Sequence, residues 1–352
     1  MDADGAADGA GEGVYVLATS GMNSCTGTQS LLIPHATDPF WTPAGLYGPP
    51  TVTVTARPAA ATASRSATVR FTATTADPAR HVTGHTCRVD GGAAQPCSSP
   101  FTVTGLADGS HTVTIAAGDG AQAGSASVSW RVDTSRPAAA LTAPTAVATT
   151  AGSVRLTWSG RDTGTGVARY QVRYQRAAYG GGFGAWSAPA SWQRLTGRSL
   201  TASHLAAGYD YCWSVRAVDR AGNTGSWSPA RCTAVALDDQ STTRSHGWRR
   251  TTGSAYYDRT ATTTTRKGAT LTRKHAAVDR VGVVVTTCAK CGEVAVYVGR
   301  TRIGVVNLHA THTHHRVVKL LSRFRLRSGT VRVKVLTAGR TVAIDGLVLS
   351  RT

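Results

Sequence analysis

The sequence predicts an all-β protein of tandem β-sandwiches, and three observations carry that expectation. Thr, Ala, Gly, Val and Arg dominate a chain that contains only 2 Met, a mixture that suits pleated, half-buried surfaces better than helix interiors. From residue 50 onward, short alternating stretches such as TVTVTA, ATVRFTATT and SHTVTIAAG are separated by Gly, Asp or Pro, which is the pattern of strands and tight turns. The plan also repeats. LADGSHTVTIAAGDGAQAGS from 106 and LAAGYDYCWSVRAVDRAGNTGS from 205 both run from Leu through a glycine turn and an alternating strand to Asp and a Gly/Asn loop. Their offset matches the length of one sandwich domain.

At 352 residues the chain holds more than one ordinary domain. Residues 1–49 show no clear period, open on Gly, Ala and Asp, leave through the Pro-rich HATDPFWTPAGLYGPP, and read as a remnant or linker. Residues 50–135 give about seven short strands, ending with SASVSWRVD, as a sandwich requires. Residues 136–236 repeat the pattern with VRLTWSG, ARYQVRYQ, SLTASHL, YDYCWSVRAVD and SPARCTAV. After the joint LDDQSTTRSHGWRR, residues 237–352 give about eight alternating strands from AYYDRT to VAIDGLVL, with no helical period. That count suggests a jelly-roll-like sandwich. No apolar run approaches the roughly 20 residues needed to span a bilayer.

The cysteines speak to compartment. Cys87 and Cys97, Cys212 and Cys232, and Cys288 and Cys291 fall as local pairs, one pair in each predicted domain, which is the pattern of an oxidising environment. The N-terminus MDADGAADGAGEGVYVLATSG carries acids where an export signal needs a basic region followed by an apolar one. The pairs outweigh it, because three accidental pairings are improbable. The expected location is extracellular or cell-surface, with the signal peptide not present in the sequence as given. Cys25 has no partner in its own segment. In TCRVDGGAAQPC, Asp90 and Gly91 turn a hairpin between the first pair, and the short loop so closed stabilises by roughly 3 kcal/mol in the chain-entropy model.

Charge is unevenly placed. Residues 237–352 hold 21 Lys and Arg against 6 Asp and Glu, a net of +15, and all five lysines lie there; residues 1–236 hold 17 against 13, a net of +4. A basic domain behind a near-neutral stalk implies an anionic partner, here an anionic cell-envelope polymer or polysaccharide. The competing explanation is an arginine-rich composition that serves solubility. Nucleic acid is disfavoured, because the basic residues are spread over strands without a helix-turn-helix, RRM or OB signature.

Resemblances can be attached to these segments. CRVDGG, Cys97, SPFTVTGLADGSHTVTIAAGD and the closing SWRVD resemble bacterial Ig-like repeats of exported and cell-surface proteins. The second segment resembles a fibronectin type III domain, with Trp158 on an early core strand and Leu205, Gly208 and Tyr211 at tyrosine-corner spacing. The third looks like the galactose-binding-like, carbohydrate-binding-module-like sandwiches appended to many exported bacterial proteins, on the strength of KGATLTR, GEVAVYVGRTRIGVVNLH and AIDGLVLS. These resemblances imply spacer, adhesion or binding roles.

Chemistry candidates are few. Trp248, Tyr256 and Tyr257 are the candidate ligand-binding residues, as a platform for stacking on a sugar face, against the expectation that most aromatics fill a core. CAKC reads as a structural disulfide between Cys288 and Cys291. The alternatives are free thiols or a metal site with His309 and His312, whose spacing superficially resembles zinc ligation. Asp219 and Asn223 offer calcium-type oxygens, although a turn of this kind needs no ion. GxSxG, HExxH, Walker A and dinucleotide fingerprints do not occur, acids are sparse, and Ser24, His35 and Asp38 are close in sequence without forming a recognisable triad. No catalytic residue and no cofactor is assigned. Two readings follow: a secreted, non-catalytic binding or adhesion protein engaging envelope polymers or polysaccharides, or the accessory C-terminal region of an exported hydrolase whose catalytic domain lies upstream.

Overall fold

A computed structural model describes the backbone strands Gly13–Leu17 and Gln29–Pro34 together with residues 48–351. The two early strands pair antiparallel, where the sequence showed no strand period. Cys25, Ser24, His35 and Asp38 lie outside the described residues. The chain divides into two compact units, Met1–Arg57 with Val69–Phe101 and Thr112–Val128, and Pro58–Thr68 with Thr102–His111 and Ser129–Thr352.

The architecture is all-β, as the alternating pattern requires. The first sandwich has a three-stranded sheet (Thr51–Ala56, Ala67–Thr74, Phe101–Val103) and a five-stranded sheet in the order Ala61–Thr62, Ala123–Val132, Gly109–Gly118, Gly84–Val89, Gln95–Pro96. Period-two burial is plain in Ala67–Thr74, where Ala67, Val69 and Phe71 are buried and their neighbours face solvent. Asp90 and Gly91 both take positive φ, 50° and 74°, the mirror-image turn that matches strand twist in a tight hairpin.

The second sandwich sets Ala138–Ala143, Val154–Arg161 and Ser199–Ala202 against a four-stranded sheet in the order Ala148–Thr149, Arg231–Val235, Tyr209–Asp219, Val167–Ala178. Leu156, Trp158, Val172, Trp213 and Val215 fill its core. The tyrosine corner is formed: the Tyr211 hydroxyl accepts a hydrogen bond from the Ala206 amide at 3.0 Å.

The third sandwich packs two sheets over an aliphatic core of Leu271, Val283, Val296, Val333 and Ile344, among others. One sheet runs Arg249–Thr252, Thr260–Thr264, Val342–Ser350, Arg280–Thr287, His314–Leu320, with Leu237–Asp238 also paired to Val342–Ser350. The other runs Thr243–Arg244, Thr270–Val278, Arg327–Val335, Glu293–Val298, Thr301–Asn307. Val284 and Val348 point away from this core and bury themselves against Ala234 and Ala236 of the second sandwich. Polar ties join the same two sandwiches. The Arg351 amide donates to Asp210 Oδ2 at 2.8 Å, the Ala277 amide to the Tyr179 carbonyl at 2.8 Å, and the Tyr257 hydroxyl to the Ala236 carbonyl at 2.9 Å.

Candidate functional site

The structure holds three disulfides, Cys87–Cys97, Cys212–Cys232 and Cys288–Cys291. The last removes the metal alternative, because zinc needs thiolates and both sulfurs are spent in the bond. His309 Nδ1 instead lies 3.0 Å from the Ala289 carbonyl oxygen and His312 Nδ1 3.0 Å from Thr311 Oγ1.

Trp248, Tyr256 and Tyr257 do not form a stacking platform. Trp248 is 8% exposed and belongs to the core of the third sandwich. Tyr257 spends its hydroxyl on Ala236 and its amide on Asp345 Oδ1, and burial pushes its phenol up to about 12. Tyr256 is half-buried and meets His315 edge-on, with ring centroids 5.2 Å apart. Trp248 is committed to the core and Tyr257 to the junction with the second sandwich, so the three rings do not share one exposed face.

The outer face of the sheet that ends in Thr301–Asn307 is different. On that face the register puts Arg302, Arg332 and Lys334, with Glu293 as the one acid of the five strands, while Arg244, Arg273 and Arg327 pair with the core residues Leu271, Val331 and Val278 and so take the other side. Alternation turns Val294, Val296, Val331, Val333 and Val335 inward and leaves the intervening residues facing out. The register then places Thr272, Arg332, Tyr297 and Arg302 side by side on one rung, with Lys334 opposite Ala295 and Thr270 on the next. Arg302 and Lys334 are exposed, while Arg332 and Tyr297 are half-buried. The Arg332 guanidinium carbon stands 4.6 Å from the Tyr297 ring centroid. Sequence reading missed this face. The signal was present in TVRVKVL, where Val alternates with Arg332 and Lys334, but the rung depends on a register that local sequence does not specify.

The remaining acids of this domain sit elsewhere. Asp239 is fully buried, accepts from the Thr260 and Thr262 hydroxyls and pairs with Arg250 at 3.5 Å. Asp279 pairs with Arg323 at 2.6 Å. Asp345 is fully buried, and that burial pushes its carboxyl up to about 6. Asp238 is raised for the same reason.

Among the described residues, Asp133, Asp162 and Asp219 form a group able to share a metal ion, each offering an oxygen within 4.8 Å of the others. Their donor set suits a hard cation of the calcium type. Most of the oxygens are already engaged. Asp133 accepts from the amides and hydroxyls of Ser135 and Thr165, and Asp219 accepts from the Asn223 amide and side chain. Asp162 Oδ2 accepts from Gly164 and Gly166, which leaves Asp162 Oδ1 buried without a partner. Burial alone would raise the Asp133 carboxyl, but the Ser135 and Thr165 hydrogen bonds outweigh it and hold it at about 2. The arrangement ties the segment after Trp130 to the turns at 162–166 and 219–223.

No protein-family model matches the chain, and no curated protein matches it in sequence. Solved structures give likenesses in fold. The fibronectin(III)-like modules of Clostridium thermocellum CbhA are 15% identical with a TM-score of 0.32, over 53% of this chain and 94% of that one. A structure described for the promiscuous specificity of carbohydrate-binding modules of the β-sandwich superfamily is 15% identical with a TM-score of 0.30, over 61% of this chain and 98% of that one. A stretch of titin domains is 15% identical with a TM-score of 0.34, over 54% and 67%. All are modules of β-sandwich type, and no functional residue passes from them to this chain.

Proposed function

We propose that this protein is an extracellular, non-catalytic binding protein whose C-terminal sandwich holds an anionic polysaccharide on the outer face of the sheet containing Tyr297. The observation that carries the reading is the rung of Arg332, Tyr297 and Arg302 with Lys334 beside it. Three cations around an aromatic ring on one β surface match a chain of sugar rings that bears carboxylates or phosphates. Guanidinium groups bind such anions in a bidentate manner, and the Tyr297 ring, with Arg332 stacked on it, fixes one of them for that contact. The three disulfides support an oxidising location.

The test is retention of the full chain on a carboxylated polysaccharide such as polygalacturonate, with dextran as the neutral comparison, at low and high salt. Contacts to a polyanion release counterions, so binding should weaken steeply as salt rises. The triple variant Arg302→Gln/Arg332→Gln/Lys334→Gln should lose most of the retention while keeping its fold. Equal retention of wild type and triple variant would overturn the reading.

A further inference from the structure

The second sandwich carries an aromatic cavity of its own. Alternation puts Tyr209, Tyr211 and Trp213 on one face of Tyr209–Asp219, and the pairings Tyr174↔Trp213 and Arg176↔Tyr211 add Tyr174 and Arg176 to that face. Tyr211 stacks with Trp213, centroids 6.0 Å apart and planes at 15°, and Tyr174 lies 6.4 Å from Tyr211. The opposing sheet stops at Ala202. Beyond it, Ser203–Leu205 and the short turn Ala190–Trp192 complete a cavity of about 290 Å³. Trp192 forms one wall, its ring 5.6 Å from that of Tyr174.

The formal charge around this cavity is of one sign. Arg176 is exposed, its guanidinium carbon 5.3 Å from the Tyr209 centroid, and none of the lining residues is acidic. Trp213 also lines the cavity, is 0% exposed, and has a buried Nε1–H with no hydrogen-bond acceptor. Aromatic walls beside a single cation fit a ligand with an apolar ring face and a negative charge. A neutral sugar would use the walls and leave the guanidinium charge unbalanced, whereas an aliphatic acid would balance the charge and leave the walls unmatched. The volume sits at the small end of ligand cavities, room for one sugar ring rather than a chain.

We propose that this cavity binds a single pyranose bearing a carboxylate, a hexuronate, with Trp192 and Tyr174 against the ring and Arg176 paired to the carboxylate. The ligand is either the free sugar acid or the terminal residue of an anionic polysaccharide. The site is in a different sandwich from the Tyr297 face and does not rest on that reading.

The experiment titrates the full chain with glucuronate, with glucose, and with an oligosaccharide ending in glucuronate, following tryptophan fluorescence and saturation-transfer NMR. Glucuronate should bind saturably, and glucose about tenfold more weakly or worse. Arg176→Gln should level the two sugars, and Arg176→Lys should restore part of the preference. Trp192→Ala should lose both sugars, with near-UV circular dichroism confirming the fold. The Arg302→Gln/Arg332→Gln/Lys334→Gln variant should bind glucuronate like wild type, which separates this site from the polymer face. Oligosaccharide binding as tight as the free sugar assigns the chain end; binding of the free sugar alone assigns the small molecule. Absence of saturable glucuronate binding, or an Arg176→Gln variant with unchanged preference, overturns the proposal.

Discussion

Arg332 stacks on Tyr297 across two neighbouring strands, its guanidinium carbon 4.6 Å from the ring centroid. The contact holds a long, flexible cation flat against the sheet, where an isolated arginine would sample many rotamers. The two residues therefore have separable effects on polymer binding. Arg332→Gln removes a charge and should reduce the dependence of affinity on salt. Tyr297→Ala should weaken binding about three- to tenfold while leaving that dependence nearly unchanged. Affinities for polygalacturonate at several salt concentrations decide the matter. A Tyr297→Ala variant whose salt dependence falls as far as that of Arg332→Gln would mean that the ring serves only to place the cation.

The Cys212–Cys232 bond joins residues directly opposite each other on paired strands, 20 residues apart in sequence. In the chain-entropy model a loop of that length contributes about 3 kcal/mol. Replacing both cysteines by serine should lower the unfolding free energy by that order in urea titrations. The Cys87–Cys97 loop, with a separation of 10, should matter less by about 0.6 kcal/mol, because loop-closure entropy grows slowly with length. Non-reducing peptide maps of protein made in an oxidising compartment should show the three links within domains. A Cys87 to Cys212 link would contradict the fold itself.

Much of this fold was legible because strand burial has a period of two. ATVRFTAT buries every second residue, as its pattern states. The tyrosine corner was legible for the same local reason, since Leu205, Gly208 and Tyr211 lie within one turn of chain. What local pattern cannot supply is the partner of a residue. Asp210 and Arg351 are 141 positions apart, and Asp133, Asp162 and Asp219 converge from three segments. Trp248 stood beside two tyrosines in sequence and suggested a platform, but burial depends on which face of the chain meets the core, and the indole turned inward. The Tyr297 rung was hidden because it is a property of register and not of any one strand.

Gly208 takes φ +77°, and a Cβ there would come within 2.7 Å of Leu237 Cδ2. Gly208→Ala therefore meets two obstacles, a left-handed backbone and a side chain belonging to the junction with the third sandwich. The expected loss is about 1–3 kcal/mol, read from urea unfolding. Tyr211→Phe removes just the hydroxyl that accepts from Ala206 and should cost about 1 kcal/mol. A Gly208→Ala variant as stable as wild type would show that the Leu237 contact yields freely.

The junction should also respond to pH through Asp210. The residue is 1% exposed, and that burial pushes its carboxyl up to about 6, against the hydrogen bonds from the Arg351 amide and Ser350. Its Oδ1 is buried without a partner, and the nearby Asp279 charge adds to the rise. A folded-state value above the unfolded one means that the folded protein holds the proton more tightly. Stability from this group is therefore full below about pH 4 and is lost as pH rises through about 6, a difference of about 3 kcal/mol for a shift of roughly two units. Asp133, held at about 2, acts with the opposite sign. Its stabilisation is present above about pH 4 and is lost as pH falls towards 2, so the two windows do not overlap. Asp210→Asn mimics the protonated acid at every pH. It should stabilise the protein near pH 7 and flatten unfolding free energy between pH 4 and 6, and the slope that remains there should belong to Asp345, also held at about 6, and to Asp238, likewise raised by burial. Urea titrations of wild type and variant from pH 4 to 8 measure both effects. An Asp210→Asn variant with the wild-type slope across that range would show that Asp210 is ionised in the folded protein and that the junction tolerates its charge.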